Sequence, residues 1–216
     1  PQTNAPELEG MIYVPSINLY VAKERDLNGL TWNQAIDKIY NQGIKIAGQK
    51  AEMPTPFEFM SYVSYLLSGT VKGLKETERT NILNDILKIG NYRGNWLNAE
   101  FAKNDKGFKG LGIKTATFDS AGKLVRKTTP LEKCLWQDGW ADISSMNNQG
   151  LLTKPHGSNY EQGKNAYFWY PRDKAVARFD AYSVRANLNC YWDPGNSYSS
   201  LGVRIVVRPK GVSQKN

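Results

Sequence analysis

The chain has 216 residues, 40% hydrophobic and 22% charged, so it can bury a core and is not a disordered segment. Its formal net charge of +8 favours anionic partners, but the basic residues are scattered and form no stripe or recognition helix for nucleic acid, so none is expected as partner. No apolar run reaches the roughly 20 residues of a membrane span, and the polar stretch Pro1–Gly10 shows no signal peptide.

Met11–Val21 is rich in β-branched and aromatic residues and predicts one or two short strands, with Pro15 marking an edge or bend. Thr31–Asn41 predicts a helix. Thr31 and Gln34 form a capping-box pattern, Trp32, Ala35, Ile36, Ile39 and Tyr40 share one face, and Gly43 supplies the stop. A second helix starts near Pro56 and runs Phe59, Met60, Val63, Leu66 and Leu67 along its apolar face, closing at Gly69. A third spans about Glu76–Ile89, with Ile82, Leu83, Ile86 and Leu87 inward.

After Gly90 the character changes. Gly112–Phe118, Lys123–Lys127, Ala166–Tyr170 and Val203–Val207 read as strands, Lys103–Lys109 as a loop, and Trp140–Gly163 as long loops. Helices first and antiparallel strands afterwards make this an α+β pattern, read as a single domain over residues 1–216.

Two cysteines, Cys134 and Cys190, stand too far apart for a zinc motif, and their pairing is open. His156, the only histidine, lies in a loop-like stretch and is expected at the surface. No metal site, cofactor or catalytic residue is assigned.

The segment Arg178–Arg208 carries the functional signal. Phe179, Ala181 and Ser183 alternate with Asp180, Tyr182 and Val184. After a phase change at Arg185, Ala186, Leu188 and Cys190 alternate with Asn187, Asn189 and Tyr191. Alternate strand residues face opposite sides, so the small and apolar set is expected inward and the Asp, Asn and Tyr set outward. The outward set continues through Trp192, Asp193, Gly195, Asn196, Tyr198 and Ser200, with a turn at Asp193–Asn196. Between Ala175 and Leu201 there is no Lys, Glu, Gln, Thr, Ile or Met. Tyr and Trp supply contact area at small entropy cost, while Ser, Gly and Asn supply adaptable hydrogen bonds. Residues 180–200 are therefore the candidate ligand-binding segment; an ordinary polar loop between strands is the competing reading. Leu201–Val207 closes the segment as an interior strand.

Gly29–Ala35 (GLTWNQA), followed by Met53–Phe59 (MPTPFEF), resembles the pattern of formylglycine-generating-enzyme-like domains, and Leu201–Arg204 (LGVR) resembles the strand that ends them. That resemblance implies a C-type lectin fold with N-terminal helices, a small antiparallel sheet and long loops. Ala166–Tyr170, Arg178–Phe179, Ala186–Cys190 and Leu201–Arg204 further resemble the variable proteins of diversity-generating retroelements of bacterial or archaeal type. In that family, adenine-directed mutagenesis diversifies chosen codons on a fixed scaffold. The resemblance implies a non-enzymatic display protein at the cell surface or outside the cell, binding a protein or cell-surface molecule. It implies that Arg178, Leu188, Gly202 and Arg204 are scaffold. Two other readings stay open: a formylglycine-generating copper oxidase, which needs two nearby reactive cysteines, and a calcium-dependent carbohydrate-binding lectin, which needs clustered oxygen ligands.

Overall fold

The computed structural model describes residues 7–103 and 110–209. The loop expected at Lys103–Lys109 and the residues Pro1–Pro6 of the polar N-terminal stretch lie outside the described residues, apart from Lys103, which ends a strand. The Met11–Val21 run becomes β1 (Met11–Val14) and β2 (Leu19–Ala22), split by a 3-10 turn over Pro15–Ile17. The proline thus bends the chain instead of interrupting a ladder.

The first helix, α1 (Trp32–Ile36), opens on the expected box: Gln34 N donates to Thr31 Oγ1 at 3.2 Å and Thr31 N donates to Gln34 Oε1 at 2.9 Å. It then widens into a π-helical turn over Asp37–Asn41, where the Asp37 carboxylate takes the side-chain amides of Asn41 and Gln42, each at 2.8 Å. All five residues of the predicted apolar face are buried. After β3 (Lys45–Ile46) and β4 (Gln49–Glu52), α2 (Pro56–Leu67) starts on a second capping box, Thr55 with Glu58. Its apolar face includes Phe59, Met60, Val63 and Leu66, but Leu67 is exposed, because the apolar arc ends one residue earlier. Helix α3 covers Glu76–Leu87.

The rest is strand and loop: β5 (Arg93–Lys103), β6 (Leu111–Phe118), β7 (Leu124–Pro130), β8 (Gly139–Asp142), β9 (Asn165–Trp169), β10 (Ala175–Ala181), β11 (Ala186–Trp192), β12 (Leu201–Gly202) and β13 (Val206–Val207). The fold is mixed α+β, dominated by sheet. One sheet has the order β1-β2-β13-β4-β3, which seats the last strand between two early ones. The larger sheet has the order β7-β6-β5-β10-β11-β9-β8, with β12 beside β5. Its pairs are antiparallel except β11 with β9 and β12 with β5.

Strand β5, at the centre, was not foreseen. Six consecutive residues, Gly94–Ala99, are buried, so no half-exposed alternation marks it. A register shift breaks its ladder with β10 between Val176 and Arg178. There the Asn98 amide replaces a peptide group: Nδ2 donates to Ala116 O at 2.5 Å and Oδ1 accepts from Ala116 N at 2.9 Å. Strand β8 likewise falls where long loops were expected.

The expected strand Leu201–Val207 is divided between the two sheets. Val203 bridges to Asp26, and Arg204, 1% exposed, donates to the carbonyls of Ala22 and Lys23 and to the Asp85 carboxylate. Burying that guanidinium requires these acceptors, and meeting them turns the chain out of the first ladder. A Cβ on Gly202 would sit 2.5 Å from Asp26 O and from Asn28 Oδ1, so only glycine fits this crossing. The principal core cluster draws on β1, β2, α2, α3, β13 and one face of the larger sheet. A second cluster, around Trp32, Ile39 and Trp96, packs α1 against the opposite face at the β5–β6 end. The other end of that opposite face is left for a different use.

Candidate functional site

That remaining surface is built on the β10–β11 hairpin. Phe179, Ala181, Ala186, Leu188 and Cys190 all enter the principal core, as alternation predicts. Strand β10 ends at Ala181, however, and Tyr182 N donates to Arg185 O at 3.1 Å to close a turn over Ser183 and Val184. Ser183 is therefore exposed rather than inward, and the phase change at Arg185 is the hairpin itself.

The outward set needs a correction. Asp180, Asn187 and Asn189 do lie on the face away from the principal core, yet they are only 2%, 2% and 5% exposed. Arginine and aromatic side chains cover them. The Asp180 carboxylate meets Arg178 Nε at 2.7 Å, an ion contact rather than an aligned hydrogen bond. Asn187 Nδ2 donates to the other carboxylate oxygen at 2.7 Å. Asn187 Oδ1 in turn accepts from Arg185 Nε at 3.1 Å and Trp169 Nε1 at 3.2 Å. Arg178 completes its coordination on the Tyr92 hydroxyl at 2.8 Å and lies 3.4 Å above the Trp192 ring. Burial raises the Asp180 pKa, against the lowering effects of Arg178 and Asn187. Gly94, across the ladder, makes room for this carboxylate: a Cβ there would lie 3.0 Å from Asp180 Cβ. Asn189 turns its Oδ1 to Tyr191 N at 3.1 Å.

Above this polar chain lies an aromatic surface. Trp140 on β8, Tyr167 and Trp169 on β9, and Tyr191 on β11 form a row with successive ring separations of 5.4, 5.1 and 5.7 Å. The Arg185 guanidinium rests 4.1 Å over Tyr167, with Trp169 and Tyr182 at 5.6 and 5.7 Å. Arg172 pairs with Asp138 at 3.0 Å and sits near the rings of Tyr170 and Tyr191. On the other flank, Tyr198 packs against Tyr92 at 4.9 Å and Trp192 at 5.9 Å.

Comparison with family models, curated proteins and solved structures finds no match for this chain.

The remaining predicted positions divide by exposure. Val184, Tyr191 and Tyr198 are exposed large side chains, and Asp193, Gly195 and Asn196 are exposed in a turn where Asp193 Oδ1 takes Gly195 N at 2.7 Å. Tyr182 and Arg185 are half-buried. Trp192 is half-buried against the second core cluster, with its Nε1 buried and without a partner among the described residues, and so is not a plain surface residue. Ser200 is half-buried and acts through its backbone carbonyl, which accepts from Gly94 N at 3.1 Å and Arg25 Nη1 at 2.8 Å. Arg178, Leu188 and Arg204 are buried, and Gly202 is enclosed.

Sequence reasoning missed Trp140, Tyr167, Trp169 and Arg172. Tyr167 and Trp169 alternate with the core residues Ala166 and Phe168, the signal that would have found them. His156, expected at the surface, is half-buried, and its backbone N donates to Trp140 O at 3.0 Å.

The fold brings Cys134 and Cys190 to the same core cluster. Both are free thiols; burial pushes Cys134 up to about 11 and Cys190 well above its ordinary value, and Cys134 adds to the shift of Cys190. Among the described residues, no three His, Cys, Asp or Glu side chains group as a metal site. No described helix is long and apolar enough to cross a membrane.

Proposed function

We propose that this chain is a non-enzymatic ligand-binding display protein on a C-type lectin-like scaffold, similar to the variable proteins of diversity-generating retroelements. One observation carries the reading: a single hairpin points its apolar residues into the core while its turn exposes Val184 and its far end and the following loop expose Tyr191, Asp193, Asn196 and Tyr198. Substitution at those positions leaves the core untouched. Buried Asp180, Asn187 and Asn189 support the surface from below, so the displayed set is smaller than the sequence alternation suggests. The ligand class is a protein or cell-surface molecule, and the resemblance puts the display at the cell surface or outside the cell.

The test is a library. Randomising Val184, Tyr191, Asp193, Asn196 and Tyr198 is expected to leave the folded fraction near that of the parent and to yield binders against unrelated protein targets. Randomising Asp180, Asn187 and Leu188 is expected to abolish folding. Collapse of the first library would make these positions scaffold and end the reading. In the source DNA, a near-copy of this coding segment differing at adenines, beside a reverse-transcriptase gene, is the matching genetic observation.

The copper-oxidase reading gains one observation, the shared cluster of Cys134 and Cys190. It loses on chemistry, because burial disfavours the thiolates that ligation and reactivity need.

A further inference from the structure

Three arginines serve the aromatic surface, and they are not equivalent. Arg172 is paired with Asp138 and Arg178 with Asp180. Arg185 makes no ion pair among the described residues. Its hydrogen bond runs from Nε to Asn187, which leaves both Nη groups without an acceptor among the described residues, and neither is sealed from solvent. The guanidinium is held by that bond at one edge and by the Tyr167 ring at 4.1 Å on one face. Asn187 is itself fixed by the buried Asp180, so the anchor under Arg185 is rigid. A guanidinium clamped in this way presents a preformed fork of N–H donors, which matches a carboxylate in two parallel hydrogen bonds.

The acids near this fork are engaged. Asp180 is buried, Asp138 accepts from Arg172 and from Tyr170 N, and Asp193 caps its own turn. Arg185 therefore has no acid paired with it among the described residues, while exposed Asp193, on the loop after β11, keeps an unpaired negative charge among them; the chain as a whole carries +8. Around the fork stand Tyr167, Trp169 and Tyr182, and exposed Val184 is its neighbour in the hairpin turn. Tyr, Trp and Arg together are the side chains that dominate protein–protein binding energy. A sugar is a poorer fit. It stacks on bare ring faces, whereas Arg185 already covers Tyr167, and Trp140 is stacked on Tyr160 at 6.4 Å.

We infer that the partner of this surface is an acidic polypeptide, whose Asp or Glu carboxylate docks on the Arg185 fork while its apolar neighbours pack on Val184, Tyr182 and Trp169. This rests on reading the face as a binding surface. Electrostatic complementarity then sets both the choice of partner and the approach to it.

The probe is a displayed library of random short peptides, selected on the intact chain. Selected binders are expected to be enriched in Asp and Glu. They are expected to lose about tenfold or more in affinity on Arg185→Gln, a difference of about 1.4 kcal/mol. Arg185→Lys, which keeps the charge but not the fork, is expected to lose part of that. Thermal unfolding of both variants checks that the fold is kept, and if Arg185→Gln unfolds, Arg185→Lys carries the comparison. Binders with no acidic enrichment, or binders indifferent to Arg185, overturn the inference. If such binders are still lost on replacing Tyr191 and Tyr198 by alanine, the binding face stands and only its acid specificity falls. Preference for duplex DNA or heparin over every selected peptide, or no peptide binder at all, overturns the polypeptide partner; the randomised-position library then decides the fate of the face.

Discussion

Asn187 donates its amide N–H to the buried carboxylate of Asp180 at 2.7 Å, across the β10–β11 ladder. The other end of the same amide can then only accept, and it does so from Arg185 and Trp169. One hydrogen bond between two buried residues thus orients the cation and the indole that stand above it. Stability and surface geometry are coupled at this pair.

Replacing Asn187 by leucine is the direct probe of that coupling. The volume is nearly kept, but a buried carboxylate oxygen loses its donor and Arg185 and Trp169 lose their acceptor. The expected cost is about 3 kcal/mol, because an unsatisfied buried charge pays its full desolvation. Urea unfolding measures it, and a cost below about 1 kcal/mol, within the range of exposed polar contacts, would refute the coupling.

The raised Asp180 pKa makes a pH prediction with a definite sign. In the unfolded chain the carboxyl titrates near its ordinary 3.8. The folded state holds the proton more tightly, so the stabilising contribution is full below the unfolded value and is lost as pH rises through the folded value. Glu52, buried beside Arg208 and Thr117, is raised too and shifts the curve the same way. The difference between wild type and Asp180→Asn isolates the one group. Wild type is expected to lose stability relative to the variant as pH rises above the ordinary carboxyl value of 3.8, in urea titrations at matched ionic strength. A difference that is flat, or that runs the other way, removes the argument.

Four aromatic positions that look alike in the sequence are expected to behave differently. Tyr191 and Tyr198 are 48% and 49% exposed, so alanine at either is expected to change stability by less than about 1 kcal/mol. Trp192 packs against the second core cluster under the Arg178 guanidinium, and its alanine variant is expected to cost about 2–4 kcal/mol. Half-buried Tyr182 falls between them. Thermal unfolding of the four single variants orders them, and an undiminished Trp192→Ala melting temperature would return that residue to the displayed set.

How much of this was legible in the sequence follows from what the signals encode. The Thr31–Gln34 and Thr55–Glu58 boxes are local, so both helix starts could be read directly. The alternation from Phe179 to Cys190 correctly assigned sides of the sheet, since the side is a local property of a strand. It did not assign exposure, which depends on what lies across the sheet. Asp180 is buried because Gly94 leaves space beside it and Arg178 neutralises it, and neither fact is contained in the alternation. Strand β5 escaped because it is buried on both faces and satisfies Asn98 with the distant backbone of Ala116. Trp140 and Trp169 are far apart in the chain and come together only through the β8–β9 pairing.

Gly202 tests the crossing between the two sheets. A methyl group there meets Asp26 O and Asn28 Oδ1 at 2.5 Å, one of them backbone that cannot swing away. Gly202→Ala is expected to destabilise by about 2–3 kcal/mol through overpacking. The control is Gly195→Ala in the exposed turn, where the added Cβ meets only the Asp193 carboxylate at 3.2 Å and is expected to cost far less. Equal melting temperatures for the two variants would mean the crossing relaxes freely.

The cysteines decide between display and thiol chemistry. With its pKa at about 11, Cys134 holds roughly one thiolate in a thousand at pH 8, and burial pushes Cys190 well above its ordinary value too. The thiolate is both the nucleophile and the metal ligand, so the native chain is expected to label slowly with iodoacetamide at Cys134 and not at all at Cys190. Both should label readily once urea unfolds the chain. A copper oxidase demands the reverse, two reactive thiols in the folded state that copper(I) protects. Rapid native labelling of both cysteines, abolished by stoichiometric copper(I), would therefore move the function from the aromatic surface to the core around Cys190.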